Sequence, residues 1–559
     1  MLALRLHHVG RGLPWLTEPD AHISAVVQHL AGGGAATEES EFLSIYPHLV
    51  ARLAQPFAGR REPAPGEAWG LEQHLEEASR PYLAVRRVVA VLSVLMVPAT
   101  WLLARLVLAP GWALFAAALA ATSLLDLCFA QQARPHAAAA GLALLAVVAA
   151  VRLRRRGDGP SYLLAGIAAG LALGTLQNTA AALFALLAAH LLRERPRRRV
   201  LEPRALFALL PILAALAAFQ PYLFTGLVKL AGGRFQVAGQ SIAFSDFRGG
   251  GFATILGTLA SYEPVVLALA VLGALLGLSR LSVPHPADPR ISWRDLAVLA
   301  AYVVPYTLVI GLYDKTWERF VLPLVPYLAC LGAWGTCHLA RRATRGLGRP
   351  ARAAVSTALA LAALALPAWA SLRLASLRRE PDPLELTARW LREHVRSEDE
   401  RLRIHPVIDL PLARAEPCLV RDGELRPEIF KPWEVYQALL PPGASLGTRY
   451  WIEKMLLPPS SHPAIERDPR DYLDSLAADY FIVYTPTTPL GPPASDLVHA
   501  TLRREGVLLA RFPPWSGPGA PPLARFQDSP GAGSFTWLAL RAVALGPPIE
   551  VFALSQREE

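Results

Sequence analysis

Two carboxylates stand close together near the start of the chain, in the stretch TEPDA. Glu18 and Asp20 flank Pro19, which fixes the backbone between them and removes one hydrogen-bond donor. The next residues, AHISAVVQHLA, carry apolar side chains at helical spacing, typical of a helix lying on a membrane. A carboxylate held there could act as a general base on a water-soluble acceptor, beside a substrate delivered by a lipid carrier. The alternative is that Asp20 only caps the helix beginning near Ala21.

The composition of the chain indicates a membrane protein. Of the 559 residues, 53% are hydrophobic and 18% are charged, and the mean hydropathy is +0.32. A disordered chain would be less hydrophobic, and an ordinary soluble enzyme carries about 25% charged residues. The net charge of +10 does not indicate a nucleic-acid partner, because nearly all basic residues are arginines, many clustered between apolar runs. Such clusters are typical of the cytoplasmic loops of membrane proteins.

About ten apolar runs predict a polytopic α-helical membrane protein, because roughly twenty apolar residues cross a bilayer. We expect the two shorter runs, on either side of Gln177 and Asn178, to be broken or tilted helices. The runs are Leu83–Leu108, Trp112–Phe129, His136–Val151, Tyr162–Leu176, Ala180–Leu192, Ala205–Leu223, Val265–Leu278, Leu296–Tyr313, Phe320–Leu339 and Val355–Leu374.

The distribution of basic residues predicts how the helices are oriented. Alternate loops between the runs carry 19 basic residues in one set and 6 in the other. Because cytoplasmic loops are enriched in lysine and arginine, the first set is predicted to face the cytoplasm. Residues 1–82 then form a first extracytoplasmic loop with interfacial helices, residues 83–375 the transmembrane bundle, and residues 376–559 an extracytoplasmic domain. Met1–Leu6 resembles the last turns of a transmembrane helix, so we expect one more helix upstream, the alternative being a genuine N-out protein.

The C-terminal domain is predicted to be a soluble α/β unit. ELTARWLREHV and DYLDSLAA have helical periodicity, whereas RLRIHPVIDLPL, DYFIVYT and IEVFAL have the composition of short strands. No metal-binding spacing, glycine-rich phosphate loop or nucleophile elbow occurs there. The four cysteines show no pairing pattern, so a disulfide framework is not expected.

Several motifs together resemble the GT-C membrane glycosyltransferases. An acidic residue in the first outer loop is followed by interfacial helices and a YP motif at Tyr46. FAQQARPHAAAAGL resembles the family's arginine segment after the third helix, YLLAGIAAGLALGT its glycine-rich helix, and WERFVLPLVPYLA its late helix with an arginine and prolines. The similarity spans roughly residues 1–375. The branch that includes protein mannosyltransferases and the lipid A aminoarabinose transferase is the most similar.

The resemblance implies an enzyme of the bacterial inner membrane that moves a sugar from a polyprenyl-phosphate donor to an extracytoplasmic glycan, lipid or protein. It implies Asp20 as the catalytic acid of the family, with Glu18 second. The candidates for binding the donor phosphate are Arg134, Arg319 and His136, and those for binding other parts of the substrate are Tyr46, His48, Gln177 and Asn178. For the two arginines, the alternative is that they snorkel at the membrane interface. No metal ligands are assigned, although a divalent cation stays open as a cofactor.

The sequence departs from the family pattern at two places. Ala21 follows Asp20 where many relatives have glutamate, and the turn TLQNTA lacks the lysine that is frequent after the glycine-rich helix. Asp126 lies near the outer end of a predicted span, where a charge is costly unless paired, and Arg134 is a candidate partner. Two other functions stay open: a transporter or flippase for a lipid-linked glycan, and an inactive homologue acting as an assembly partner. Polar residues collecting at the outer ends of the spans favour surface chemistry over transport.

Overall fold

The computed structural model describes residues 1–13, 15, 22–33, 45–59, 64, 67, 69–193, 202–224, 229–231, 234–237, 240–281, 292–397, 399–405, 408–425, 448–455, 461–484, 493–514 and 534–554. The described residues of the N-terminal segment form the helices α1 (Leu2–Leu6), α2 (His22–Ala31) and α3 (Leu49–Ala54). Ile23, Val26, Val27 and Leu30 of α2 are buried in the main hydrophobic core of the protein. The predicted apolar face of this helix therefore packs against protein.

Thirteen further helices in the described residues follow up to residue 377, and helical structure covers each of the ten predicted apolar runs. They are α4 (Leu71–Ser93), α5 (Met96–Ala104), α6 (Pro110–Ala121), α7 (Leu124–Phe129), α8 (His136–Arg156), α9 (Gly159–Leu173), α10 (Ala181–Leu191), α11 (Leu206–Phe219), α12 (Gly250–Tyr262), α13 (Pro264–Leu281), α14 (Trp293–Leu312), α15 (Val325–Ala343) and α16 (Arg349–Leu377). Short 3-10 turns at Gln177–Ala180 and Glu318–Leu324 precede α10 and α15.

The helices form a polytopic membrane bundle. Within the described ranges, five helical stretches are long and apolar enough to cross a membrane, and a sixth is the pair α12 and α13, bent by 115°. The run Trp112–Phe129 is broken into α6 and α7, and α12 was not predicted from the sequence. Between α11 and α12, a three-stranded antiparallel sheet has the order β1 (Lys229–Ala231), β2 (Arg234–Val237) and β3 (Gln240–Ala243).

Helix α8 runs through the centre of the bundle, and its alanine-rich sequence explains why neighbours approach it from all sides. The 18-residue apolar window of this helix is 83% buried. The helix ends at Gly157, whose φ of 63° is a left-handed conformation that glycine adopts without strain. Asp158 then caps α9 by accepting a hydrogen bond from the Ser161 amide at 2.9 Å. The turn RRRGDGP therefore reverses the chain within a few residues.

A buried ion-pair cluster joins α8 and α14 at the arginine-rich end of the bundle. The Nε atom of Arg154 lies 2.5 Å from Oδ1 of Asp295, and Arg155 binds the other carboxylate oxygen at 3.0 Å. Asp295 also completes the cap of α14 with Ser292. The basic loop after α8 and the start of α14 therefore lie at the same end of the bundle.

The C-terminal region is an α/β unit, as predicted. Its five-stranded mixed sheet has the strand order β5-β4-β6-β8-β7. Strands β4, β6 and β8 and helices α17 and α20 coincide with the predicted elements, whereas β5, β7 and the other helices were missed. The elements are α17 (Pro383–His394), β4 (Arg401–Ile404), α18 (Glu416–Leu425), β5 (Trp451–Lys454), α19 (His462–Arg467), α20 (Pro469–Ser475), β6 (Tyr480–Tyr484), α21 (Pro493–Glu505), β7 (Gly506–Phe512), α22 (Phe535–Arg541) and β8 (Ile549–Leu554).

Helix α22 leaves this unit and packs into the membrane bundle. The ring of Phe535 stacks on Tyr262 of α12 with 4.5 Å between centroids, and the Phe535 amide donates to the Ser261 hydroxyl at 2.8 Å. Phe535, Ala539 and Ala542 belong to the main hydrophobic core of the bundle. The α/β unit and the bundle are therefore joined by packed side chains as well as by the chain itself.

Two histidines lie together inside the α/β unit. The rings of His405 and His499 are 5.3 Å apart, and Tyr484 packs edge-on against His405. Burial lowers the pKa of His405 from 6.5 to about 4, with a further contribution from His499. Burial also lowers the pKa of His499, and the charge of Arg503 adds to this effect. Burial in the α/β unit therefore favours the neutral form of both imidazoles.

Candidate active site

Helices α9 and α11 lie in close contact beside the candidate site. A Cβ atom on Gly166 would lie 2.4 Å from the backbone oxygen of Ala208, and one on Gly170 would lie 2.9 Å from the Ala215 side chain. A Cβ atom on Gly174 would similarly meet the Phe219 ring at 2.6 Å. Glycine at every fourth position therefore lets α11 lie directly on α9. This is the physical role of the glycine-rich helix seen in the sequence.

The close contact also fixes the first loop. The Leu49 amide donates to the Gly174 carbonyl at 2.9 Å, and the His48 amide donates to the Phe219 carbonyl at 2.7 Å. The side chain of His48 is fully buried, with its ring 5.9 Å from that of Tyr222. The backbone around the YP motif is therefore held by the C-terminal ends of α9 and α11.

A cavity of about 220 Å³ lies beside this junction. Five of the predicted site residues line it: Tyr46, His136, Gln177, Asn178 and Arg319. They come from four separate stretches of the chain, namely the first loop, the start of α8 and the two 3-10 turns. The rest of the wall is mostly apolar and includes Leu176, Ile242, Phe247, Ile310 and Phe320. A mainly apolar pocket with a few polar groups is the usual form of a ligand site.

Arg319 supplies a guanidinium group to the cavity wall. Its residue is 9% exposed, and its Cζ atom lies 5.3 Å from the Trp317 ring centre and 5.4 Å from that of Phe320. Aromatic faces stabilise a cation at such distances. The side chain of Arg319 therefore lies largely within the protein, in the same cavity wall as Tyr46 of the first loop.

His136 occupies the centre of the polar set. It is 3% exposed, its ring lies 5.9 Å from that of Tyr46 and 5.6 Å from that of Phe320, and its Nδ1 atom has no hydrogen-bond partner among the described residues. The charges of Arg319 and Arg134 both act on this imidazole. Arg134 is 1% exposed and does not line the cavity.

The side-chain amides of the turn Gln177–Ala180 are oriented by hydrogen bonds to the protein. The Nε2 group of Gln177 donates to the Ile45 carbonyl at 2.8 Å and to the Tyr222 hydroxyl at 3.3 Å. The Nδ2 group of Asn178 donates to the Tyr306 hydroxyl at 3.4 Å, and that hydroxyl donates to the Phe320 carbonyl at 2.8 Å. Oδ1 of Asn178 is buried and has no partner in the described part of the chain.

The two candidate catalytic carboxylates, Glu18 and Asp20, lie outside the described residues. Their roles therefore stay predictions. Among the residues that the structure describes, no group of three or more His, Cys, Asp and Glu side chains is arranged to hold a metal ion. All four cysteines are free thiols.

Asp126 is paired with Arg5, so the predicted partner Arg134 is wrong. The Nε atom of Arg5 donates to Oδ2 of Asp126 at 3.1 Å, Nη2 bonds the same oxygen, and both side chains are fully buried. Gln131 holds the end of α1 by donating to the carbonyls of Leu4, Arg5 and His7. The segment MLALRL is therefore anchored beside α7.

Sequence reasoning missed the residues that orient the site. Tyr222, Tyr306 and Ile242 stand in segments without a motif, and Tyr306 lies four residues after Tyr302 on an apolar helix. That spacing is typical of a core stripe. No signal in the sequence distinguishes a tyrosine that fixes a site amide from one that only packs.

Residues 63–224 match the family model of dolichyl-phosphate-mannose-protein mannosyltransferases. The comparison with curated proteins found no match. Similar solved structures include ArnT from Cupriavidus metallidurans in the apo state, with 13% identity over 91% of this chain and 95% of that chain and a TM-score of 0.41.

Two other similar structures contain lipid carriers. ArnT from Cupriavidus metallidurans bound to undecaprenyl phosphate has 14% identity over 91% of this chain and 94% of that chain, with a TM-score of 0.35. The oligosaccharyltransferase AglB from Archaeoglobus fulgidus, in complex with an inhibitory peptide and a dolichol-phosphate, has 13% identity over 86% of this chain and 68% of that chain, with a TM-score of 0.37. The match of residues 63–224 to this mannosyltransferase family agrees with the resemblance to GT-C membrane glycosyltransferases seen in the motifs.

Proposed function

We propose that this protein transfers a sugar from a polyprenyl-phosphate donor to a glycan, lipid or protein acceptor on the extracytoplasmic side of the bacterial inner membrane. The observation that carries the proposal is the cavity lined by Tyr46, His136, Gln177, Asn178 and Arg319. It combines a buried cation, which suits a phosphate, with neutral polar groups, which suit a sugar. Its apolar wall at the bundle surface suits the first part of a lipid chain.

The position of the cavity along α8 supports an extracytoplasmic site. His136 begins this helix of 21 residues, and Arg154 and Arg155 end it. At 1.5 Å per residue, the two ends are about 30 Å apart, which is the thickness of the hydrocarbon core. If the arginine-rich end is cytoplasmic, as the 19 to 6 distribution of basic residues favours, then the cavity opens on the opposite face. Arg11 donates to the carbonyls of Leu377 and Leu545, which supports placing the α/β unit on the same side of the membrane as the first loop.

The proposed reaction inverts the anomeric carbon in one step. The acceptor hydroxyl oxygen forms the new bond to this carbon while the bond to the phosphate oxygen breaks. The electron pair of that bond leaves with the polyprenyl phosphate, whose added charge Arg319 stabilises, and Arg134 is the second candidate for this role. The hydroxyl proton passes to Asp20, which acts as the general base, and Glu18 is the second candidate.

The phosphate role of Arg319 is tested by binding of undecaprenyl phosphate to the purified full-length protein. Arg319→Gln should weaken binding roughly tenfold to hundredfold, because a hydrogen bond to a charged group contributes about 1.5–3 kcal/mol. Arg345→Gln is the matched control, since Arg345 is exposed at the arginine-rich end beyond α15. Equal binding by Arg319→Gln and Arg345→Gln would remove Arg319 from the site.

The catalytic role of Asp20 is tested by transfer from a panel of polyprenyl-phosphate sugars. Asp20→Asn should keep the helix cap but reduce transfer by at least about a hundredfold, because asparagine cannot accept the proton. Glu18→Gln is the paired variant. If Glu18→Gln is inactive and Asp20→Asn is active, the two roles must be exchanged. If both variants are fully active, the first loop is not the catalytic centre and the proposed mechanism fails.

A further inference from the structure

The side-chain amides of Gln177 and Asn178, two residues that line the cavity, have their donors engaged within the protein. A backbone carbonyl can only accept a hydrogen bond, so the Tyr306 hydroxyl must be the donor in its 2.8 Å bond to the Phe320 carbonyl. Asn178 must then turn its Nδ2 group toward the Tyr306 oxygen, as found at 3.4 Å. The amide orientation follows from this chain of hydrogen bonds, and Oδ1 is left buried without a partner in the described residues.

Gln177 is oriented by the same logic. Its Nε2 group donates to the Ile45 carbonyl at 2.8 Å. The amide oxygen of Gln177 could not take this position, because a carbonyl oxygen cannot donate to another carbonyl oxygen. A second bond from Nε2 to the Tyr222 hydroxyl is 3.3 Å long. Both hydrogens of the amide are therefore used by the protein, and its oxygen stays available as an acceptor in a residue that lines the cavity.

We propose that Asn178, supported by Gln177, recognises hydroxyl groups of the donor sugar and is not a ligand of the phosphate. This inference rests on the proposed function. An amide oxygen repels phosphate oxygens but accepts hydrogen bonds from sugar hydroxyls. The cavity is thereby divided, with the phosphate at Arg319 and His136 and the sugar at the Gln177 and Asn178 turn. Oδ1 of Asn178 is buried and has no partner in the described residues, so a sugar hydroxyl that reaches it would satisfy an acceptor whose unmade hydrogen bond is costly.

Tyr306 acts as a positioning residue in this arrangement. It does not line the cavity, and its hydroxyl touches Asn178 and the Phe320 carbonyl. Without this hydroxyl, the Asn178 amide can rotate and present its Nδ2 group to the ligand. Tyr306→Phe should therefore weaken sugar recognition without removing Asn178.

The test compares two lipids on the purified full-length protein: undecaprenyl phosphate, which has no sugar, and polyprenyl-phosphate mannose. Asn178→Leu has a similar volume and no acceptor. It should bind the sugar-bearing lipid about fivefold to a hundredfold more weakly, as expected for a lost bond to a buried acceptor, and bind undecaprenyl phosphate within about twofold of the wild type. Tyr306→Phe should show the same selectivity with a smaller loss. The double variant should be no weaker than Asn178→Leu, since the two residues act as one unit.

Three results would overturn the inference: equal loss for both lipids, no loss for either, or additive losses in the double variant. If Asn178→Leu does not fold, Tyr306→Phe and its ratio of the two affinities decide the question. Failure of the proposed function is a separate outcome, because the wild type would then bind neither lipid.

Discussion

Replacing Gly166 by alanine should force α9 and α11 apart. The added Cβ atom would lie 2.4 Å from the Ala208 carbonyl oxygen and 2.5 Å from its Cα atom. An ordinary contact is about 3.5 Å, so the helices must separate by about 1 Å. Both close atoms belong to the backbone, and no side-chain rotation can relieve the clash. Overpacking of this kind costs about 1–3 kcal/mol.

The same separation should reduce activity, because α9 leads directly to the turn Gln177–Ala180. The Leu49 amide is bonded to the Gly174 carbonyl at the end of α9, so the first loop would move as well. A displacement of about 1 Å in a positioned site can cost on the order of a hundredfold in rate. We therefore expect Gly166→Ala to lose both stability and sugar transfer.

The assay is thermal unfolding of the detergent-purified protein, followed with a thiol-reactive fluorescent dye. It suits this chain because Cys330, Cys337 and Cys418 are buried free thiols that unfolding would expose. Gly166→Ala should lower Tm by at least about 2 °C. Gly257→Ala is the matched control, since a Cβ atom there meets nothing within 4 Å. If Gly166→Ala has the Tm and the transfer activity of the wild type, the α9–α11 contact does not position the site. The same conclusion holds if Gly257→Ala lowers Tm and activity as much as Gly166→Ala.

Three further predictions concern topology, the buried ion pair and acid stability. Reporter domains fused after Arg156 and after Glu380 should report opposite compartments, and the same compartment for both would refute the assigned orientation. Asp126→Asn should destabilise the protein by about 3–5 kcal/mol, because Arg5 would stay charged in a buried position. Arg5→Met combined with Asp126→Leu should recover most of this loss of stability. A double variant as unstable as Asp126→Asn would contradict the argument. Because burial lowers the folded-state pKa of His405 to about 4, the α/β unit should be most stable above pH 6.5 and lose stability as pH falls from 6.5 to 4. Dye labelling of a variant that keeps only Cys418 measures this loss of stability. His405→Gln should make the loss smaller. If His405→Gln is as sensitive to acid as the wild type, other groups cause the loss.

Several residues of the cavity wall could be named from the sequence, whereas the contacts that hold them could not. His136, Gln177 and Arg319 stand at ends of apolar runs and Tyr46 stands in the first loop, so a topology count already predicts them at one face. The Arg5–Asp126 pair could not be predicted, because the two residues are 121 positions apart and several arginines compete for the same carboxylate. Tyr306 looks like a core residue until its hydroxyl is seen between Asn178 and the Phe320 carbonyl.

The elements missed in the fold have related causes. Helix α12 has only 13 residues and bends sharply into α13, so it lacks the length that identifies a span. Helix α22 is apolar on the face that enters the bundle, but its partner residues Ser261 and Tyr262 are more than 270 positions away. Strand β7 exposes three consecutive apolar residues, Val507, Leu508 and Leu509, and therefore lacks the alternation that predicts a half-buried strand.

The order of strands in the α/β unit has a consequence for biosynthesis. Strand β8 lies between β6 and β7, although it is made after both. While the ribosome is still adding residues before Ile549, β6 lacks its neighbour on one side and β7 has no partner in the sheet. Helix α22 reaches Tyr262 at nearly the same time. The nascent chain must therefore keep an unfinished sheet and an uncovered apolar surface soluble until β8 has been made.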